Sequence, residues 1–290
     1  MARVGFIGLG NMGGGMAANL AKAGHDVRAF DLSAEALERA EKAGCLPVAS
    51  AAEAAEGAEA VITMLPAGTH VEAVYADSVF GVADTAAVLI DCSTIDVETA
   101  KRVADAAAAK GLTAVDAPVS GGIAAAAAGS LTFMVGGSNA GFERAKAFLD
   151  DMGKAVIHAG GNGAGQAAKI CNNMLLGATM IATCEAFALA EKLGLDPQTF
   201  YDISSVSSGQ SWSMTSYCPV AGVGPESPAD RDFAGGFAAA LMLKDLKLAM
   251  EAAQGSGVDT PMGKRAAELY GAFVEGGQGG MDFSGIIRTL

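Results

Sequence analysis

Basic charge is scarce in this 290-residue chain: 19 lysines and arginines stand against 32 acidic residues, for a formal net charge of −13. A surface of that sign repels phosphate backbones and anionic lipid, so neither nucleic acid nor a membrane is expected as a partner. Aromatic residues make up only 6%, which disfavours a β-sandwich and favours close packing of helix on strand. Histidine occurs only at His25, His70 and His158, without H-E-x-x-H spacing, so a zinc-dependent mechanism is disfavoured. The five cysteines are odd in number and form no C-x-x-C pair, which argues against a disulfide framework or zinc ribbon and for buried, reduced thiols. Cys92 has no histidine near it in sequence to activate it. No uninterrupted apolar run reaches membrane-spanning length, and Arg3-Val4-Gly5-Phe6-Ile7 is strand-like with no leader before it. A cytoplasmic protein is expected.

What the chain has in quantity is apolar residues, 51% of the total, enough with this length for two domains and a sizeable core. Val4-Gly5-Phe6-Ile7 runs into Gly8-Leu9-Gly10-Asn11-Met12-Gly13, after which Met16, Ala17, Leu20 and Ala21 recur at helical spacing. Asp26-Val27-Arg28-Ala29-Phe30 then alternates as a second strand and stops at Asp31. A strand, a G-x-G-x-x-G turn, a helix and an acid closing the next strand form the dinucleotide-binding fingerprint. The glycines permit the tight turn, the approach of a pyrophosphate and close helix packing, while the helix N-terminus supplies N–H donors. Asp31 accepts ribose hydroxyls and repels a 2′-phosphate in this reading, so NAD is expected over NADP.

Further strands are expected at Ala60-Val61-Ile62-Thr63-Met64-Leu65, Ala87-Val88-Leu89-Ile90-Asp91 and Thr113-Ala114-Val115-Asp116-Ala117, with helical segments between them. Such alternation predicts a mostly parallel sheet covered on both faces, with ligands beyond the C-terminal strand ends. The loops Leu65-Pro66-Ala67-Gly68, Cys92-Ser93-Thr94-Ile95 and Pro118-Val119-Ser120-Gly121-Gly122 are therefore expected to face the cofactor. The alanine run at 124–128 reads as ordered, since Gly129-Ser130-Leu131-Thr132-Phe133-Met134-Val135-Gly136-Gly137 follows it as a strand, and Lys154-Ala155-Val156-Ile157-His158 is the last strand.

After the glycine cluster at 160–163 the pattern is helical, beginning with one long helix over residues 163–195 that carries Lys169 and Asn173 on one face. A helix of about 30 residues spans about 45 Å, enough to reach from one domain into another. Asp196-Pro197 and Thr260-Pro261 open later helices, with another over 237–254. In Phe237, Leu241, Lys244 and Leu248 a lysine interrupts an apolar stripe; it either snorkels at the edge of a buried face or aims a cation into the cleft. The expected fold is α/β: an N-terminal Rossmann-type doubly wound parallel sheet (1–162), then a long interdomain helix opening a C-terminal all-α domain (163–290).

With these residues in place the chain closely resembles the β-hydroxyacid dehydrogenases, and within them the 3-hydroxyisobutyrate dehydrogenases, over essentially its whole length. Phe6-Ile7-Gly8-Leu9-Gly10-Asn11-Met12-Gly13 is similar to their cofactor motif and Asp116-Ala117-Pro118-Val119-Ser120-Gly121-Gly122 to their substrate motif. Gly163-Ala164-Gly165-Gln166-Ala167-Ala168-Lys169-Ile170-Cys171-Asn172-Asn173 is similar to their catalytic motif, and Leu243-Lys244-Asp245-Leu246 to a fourth near the cofactor. Segments 218–223, 225–229 and 281–284 carry the subfamily resemblance; the alanine run is its one departure.

The resemblance implies catalysis by Lys169 with Asn173, substrate binding by Ser120, Gly121, Gly122 and Asn173, and cofactor contacts from Gly8, Leu9, Gly10, Asn11, Met12, Gly13, Asp31, Leu65, Pro66, Thr94 and Lys244. It also implies a homodimer or homotetramer, no metal, and NAD-dependent oxidation of 3-hydroxyisobutyrate to methylmalonate semialdehyde in valine breakdown. Lys169 would exchange the hydroxyl proton, working best if its pKa falls from about 10.4 toward operating pH. The alternatives are a related reaction on tartronate semialdehyde, succinic semialdehyde or serine, imine reduction, which would be expected to lack the lysine, and a non-catalytic NAD-binding module.

Overall fold

The apolar runs that open the chain become the centre of a sheet because they are buried on both faces. The computed structural model describes residues 1–290 and packs them into two units, Met1–Lys169 and Ile170–Leu290. In the first unit the strands are β1 (Arg3–Ile7), β2 (Asp26–Phe30), β3 (Leu46–Pro47), β4 (Ala60–Thr63), β5 (Val88–Asp91), β6 (Thr113–Asp116), β7 (Val119–Ser120), β8 (Leu131–Gly136) and β9 (Gly153–Gly160). Between them run α1 (Gly13–Lys22), α2 (Ala34–Lys42), α3 (Ala51–Ala55), α4 (Gly68–Val74), α5 (Val97–Ala108), α6 (Gly122–Ala128) and α7 (Asn139–Leu149).

Strand order is β3-β2-β1-β4-β5-β6-β8-β7, with β9 beside β8. The first six strands are parallel, the order of a doubly wound dinucleotide-binding sheet. β8 then runs antiparallel to β6 and β7. Two features depart from the sequence expectation: β3 and β7 are two-residue strands, so part of the loop expected after Pro118 is strand. Alternating residues divide the core by sheet face. Val4, Phe6, Ile62 and Ile90 meet α1, α2 and α7 on one side, and Ile7, Val61 and Leu89 meet α3 and α5 on the other. Each such side chain contributes about 1.5–3 kcal/mol when fully buried.

The alanine run is helix α6, packed against α1. A Cβ on Gly15 would lie 3.0 Å from the Ala126 carbonyl carbon, so a glycine on α1 and alanines on α6 let the two helices touch. Asn19 of α1 donates to the Ala126 carbonyl at 2.7 Å.

Helix α8 (Ala164–Lys192) is 29 residues long, close to the expected 163–195, and stops before Gly194 at φ +79°. Its length and a mean hydropathy of 1.4 over 18 residues are sufficient for a membrane crossing, a property hidden from the search for an unbroken apolar run by its scattered polar residues. Its first turns pack with the sheet unit, so the packing boundary falls at Lys169 rather than in the glycine cluster.

In the second unit follow α9 (Pro197–Ser204), α10 (Trp212–Thr215), α11 (Ala239–Ser256) and α12 (Pro261–Phe273). Asp196 caps α9 through Thr199 N–H with Pro197 in the first turn, as expected. The unit's core joins Met180, Ile181 and Cys184 to Met242, Leu246, Tyr270 and Phe283. Asp282, fully buried, accepts from Tyr217 Oη at 2.8 Å, Phe237 N at 2.7 Å and Ser284 Oγ at 2.6 Å. Part of the segment that carries the subfamily resemblance is thus a structural tie.

Candidate active site

The three fingerprint glycines divide by what surrounds them. Gly8 has φ +95°, and a Cβ there would lie 2.3 Å from the Met64 carbonyl oxygen; one on Gly13 would lie 2.0 Å from Gly8 O. Both are forced by the protein's own backbone. A Cβ on Gly10 would meet nothing within 4 Å, so this glycine holds space open rather than filling it. It borders a cavity of about 420 Å³ lined by Leu9, Asn11, Gly14, Gly15, Ala36, Arg39 and Ala40. No side chain caps the start of α1, and its first turn has no acid. A helix start with partial positive charge beside an open glycine fits a pyrophosphate, so the residues present suit NAD.

Asp31 lies at the end of β2 and grips this turn: Oδ2 accepts from Leu9 N at 2.6 Å and Oδ1 from Ser33 N at 2.8 Å. The carboxylate thereby joins the glycine turn to the start of α2, each oxygen keeping a lone pair for ribose hydroxyls. Arg39, which the sequence reading did not select, brings a guanidinium to the same cavity; its place one turn into α2, after the strand-end acid, was the available signal.

At the neighbouring strand ends a buried polar cluster supports the loops that carry Leu65, Pro66 and Thr94. Asp91 Oδ1 accepts from Thr63 Oγ1 at 2.8 Å and Ser93 Oγ at 2.6 Å, and Ser93 Oγ accepts from Leu65 N at 2.8 Å. Asp91 Oδ2 is buried without a hydrogen-bond partner. Burial pushes this carboxyl up to about 6, against the downward pull of the Ser93 and Thr63 hydrogen bonds. Burial also drives the Cys92 thiol far above its ordinary value, which removes it as a thiolate nucleophile.

Asp116, across from Asp91 in the β5–β6 register, closes the start of α8. Its Oδ1 accepts from Gly163 N at 2.7 Å and its Oδ2 from Gln166 N at 2.9 Å. Burial raises its carboxyl, and backbone N–H groups from Gly163, Gln166 and Gly165 pull it back. A Cβ on Gly165 would lie 2.3 Å from Met134 O, and one on Gly136 2.7 Å from Gly165 N. The glycines of the motif around Lys169 are therefore a close helix-to-strand joint. Lys169 follows one turn on, with 7% of its surface exposed.

Ser120 ends β7, paired with Thr132, and Gly121 and Gly122 follow with φ +135° and +73°. Gly122 has open space where a Cβ would stand, so successive backbone N–H groups lead into α6 without a side chain in the way.

In the second unit Asn173, buried, donates from Nδ2 to Asp245 Oδ2 at 2.6 Å and accepts from Asn172 Nδ2 at 3.0 Å. This corrects the stripe drawn through Phe237, Leu241, Lys244 and Leu248. Leu241 is 46% exposed, and the face that packs is Met242, Asp245, Leu246 and Ala249. Lys244 is half-buried beside that face, and the residue inside it is a carboxylate that sequence reasoning passed over.

Comparison with known proteins gives matches over nearly the whole chain. Residues 3–161 match the family described as the NAD binding domain of 6-phosphogluconate dehydrogenase. Residues 163–290 match that described as NAD-binding of NADP-dependent 3-hydroxyisobutyrate dehydrogenase. Over 290 residues the chain is 51% identical to 3-hydroxyisobutyrate dehydrogenase of Pseudomonas aeruginosa, covering 99% of this chain and 97% of the relative. It is 47% identical to the NAD-dependent L-serine dehydrogenase of the same organism, covering 100% and 98%. The solved 3-hydroxyisobutyrate dehydrogenase of Mycobacterium tuberculosis with L-serine superposes with a TM-score of 0.96 at 47% identity, covering 100% of this chain and 99% of that one.

Proposed function

The chain belongs to the β-hydroxyacid dehydrogenase family as a 3-hydroxyisobutyrate dehydrogenase-like, NAD-binding oxidoreductase, and from that premise we propose that it oxidises 3-hydroxyisobutyrate to methylmalonate semialdehyde in valine breakdown. The observation that carries the reading is the buried Lys169, one turn beyond a helix start anchored at the strand ends. NAD, when bound, supplies the acceptor for the hydride leaving the carbinol carbon. As that hydride leaves, Lys169 Nζ takes the hydroxyl proton and the C–O bond becomes a carbonyl, so charge and atoms balance. Asn173, held by Asp245, orients the hydroxyl. The N–H groups at Gly121 and Gly122 receive the carboxylate, and Ser120 adds a hydroxyl. On the cofactor side Leu65, Pro66, Thr94 and Lys244 complete the contacts made by the glycine turn and Asp31. A homo-oligomer fits this reading, supported by exposed Leu175 and Leu189 on α8 and Leu193 just past its end, as does a cytoplasmic location.

L-serine is the second reading, because it differs only in the group on the carbon beside the carboxylate and because the 47% identical relative carries that activity in its name. The two differ by a methyl against an ammonium, so a pocket built for one discriminates by more than the ~1–3 kcal/mol of a single methylene. A panel of 3-hydroxyisobutyrate, L-serine, glycerate and 4-hydroxybutyrate, followed by NADH absorbance with NAD and NADP, separates them. The highest kcat/KM is expected for 3-hydroxyisobutyrate with NAD. A higher value for L-serine transfers the assignment, and turnover of none removes it.

A further inference from the structure

Gln166 is wholly enclosed, three residues before Lys169, and its amide grips two peptides at once. Oε1 accepts from Ile95 N at 3.1 Å and Nε2 donates to Ser93 O at 2.8 Å. These two peptide groups flank Thr94. The backbone N–H of Gln166 is meanwhile held by Asp116 Oδ2, and Ser93 is held by Asp91 and bonded to Leu65 N. An unbroken hydrogen-bonded path thus runs from the loop after β4, through the loop after β5, into the first turn of α8.

We propose that Gln166 is a positioning residue of the dehydrogenase reaction, a two-pronged latch that sets the rotation of α8, and so the place of Lys169, against the loop carrying Thr94. The proposal rests on the reading of Lys169 as the proton-transfer group. Asp116 and the Gly165 joint fix where the helix begins, but both act at the helix backbone, close to its axis, and leave it some freedom to roll. The outward-reaching Gln166 side chain removes that freedom. At an outer radius of about 5–6 Å a roll of about 10° displaces a side-chain tip by about 1 Å, a misplacement that costs on the order of 100-fold in rate. The grip needs a donor and an acceptor side by side: methionine matches the length with neither, and glutamate supplies both only while protonated.

The test compares Gln166→Met and Gln166→Glu with wild type, reading kcat and KM for 3-hydroxyisobutyrate from pH 5.5 to 9, NADH affinity by fluorescence, and amide exchange at Ile95 and over 163–169. For Gln166→Met we expect kcat to fall roughly 30–100-fold at every pH, with NADH affinity within about fivefold and faster exchange at Ile95. For Gln166→Glu we expect kcat close to wild type at the acidic end and a deficit that grows with pH as the buried carboxyl ionises. A Gln166→Met enzyme within about threefold of wild-type kcat, or a Gln166→Glu deficit that is flat with pH, overturns the latch. If Gln166→Met does not fold, the Gln166→Glu profile decides. If wild type turns over no hydroxyacid, it is the functional reading that fails, and unchanged exchange at Ile95 in Gln166→Met then overturns the latch separately.

Discussion

The turn at Gly8–Gly13 and the joint at Gly163–Gly165 are built from the same parts: a strand end, closely spaced glycines and a helix start. They differ in where the anion comes from. At the first, Gly10 borders open space and no side chain caps α1. At the second, Gly165 is pressed on Met134 O, and the carboxylate of Asp116 already occupies the helix start. One helix N-terminus is left open, where the proposed function puts the cofactor, and the other is satisfied from within, at the start of the helix proposed to carry the proton-transfer group. A glycine motif therefore announces a close approach without saying whether the visitor is a cofactor or the protein itself.

The largest test of this division is Lys169→Ala. We expect kcat to fall at least about 10³-fold with NADH affinity within a few-fold, measured by stopped-flow absorbance and fluorescence titration; near-normal turnover would remove the lysine from the chemistry. Next comes a matched pair. Gly10→Ala should leave the melting temperature unchanged but weaken NADH binding roughly tenfold or more, about 1.4 kcal/mol. Gly165→Ala should instead cost about 3 kcal/mol of stability, because its new Cβ meets backbone that cannot step aside. If both behaved alike in denaturation and titration, the contrast between the open and the filled helix start would collapse. A smaller effect is expected from Asp31→Ala, a drop of about tenfold in the NAD/NADP ratio of kcat/KM, since the carboxylate tethers Leu9 and, on the proposed reading, meets ribose.

The last concerns pH. The Asp91 carboxyl binds its proton more tightly folded, at about 6, than at its ordinary value of 3.8. The folded chain then holds more protons between those values, so stability rises as pH falls through about 6 and levels off near 4. Asp116 and Asp282 are shifted in the same direction, so the informative quantity is the difference from Asp91→Asn. That variant should lose on the order of 2 kcal/mol of the acid-side gain, read by urea denaturation at pH 4.5 and 7.5.

The sequence made the first six-strand pattern legible except at β3, because strands buried on both faces leave unbroken apolar runs such as Ala60-Val61-Ile62-Thr63. Two-residue strands leave no period, so β3 and β7 were invisible. The reversal of β8 was also hidden, since an apolar run reads the same in either direction. Glycines and lysine on the cofactor turn and α8 stood out by spacing. Asp91, Asp116 and Gln166 did not, because an acid ending a strand and a polar residue on a helix look solvated until tertiary packing buries them. Asp245 was passed over for a related reason: a stripe through Lys244 fits helical spacing as well as one through Asp245, and only the packed face distinguishes them.

The alanine tract of α6 has a consequence for how the chain tolerates change. Its contact with Gly15 and the bond from Asn19 to Ala126 O clamp α6 to α1, so the turn leading into α1 and the Ser120-Gly121-Gly122 bend leading into α6 share one mechanical frame. A stretch of minimal chemical variety thereby acts as a spacer gauge. A single methylene added on its inner side at Ala126 would wedge the two helices apart and be felt at both turns, while its outer positions Ala124, Ala127 and Ala128, all exposed, are free to drift.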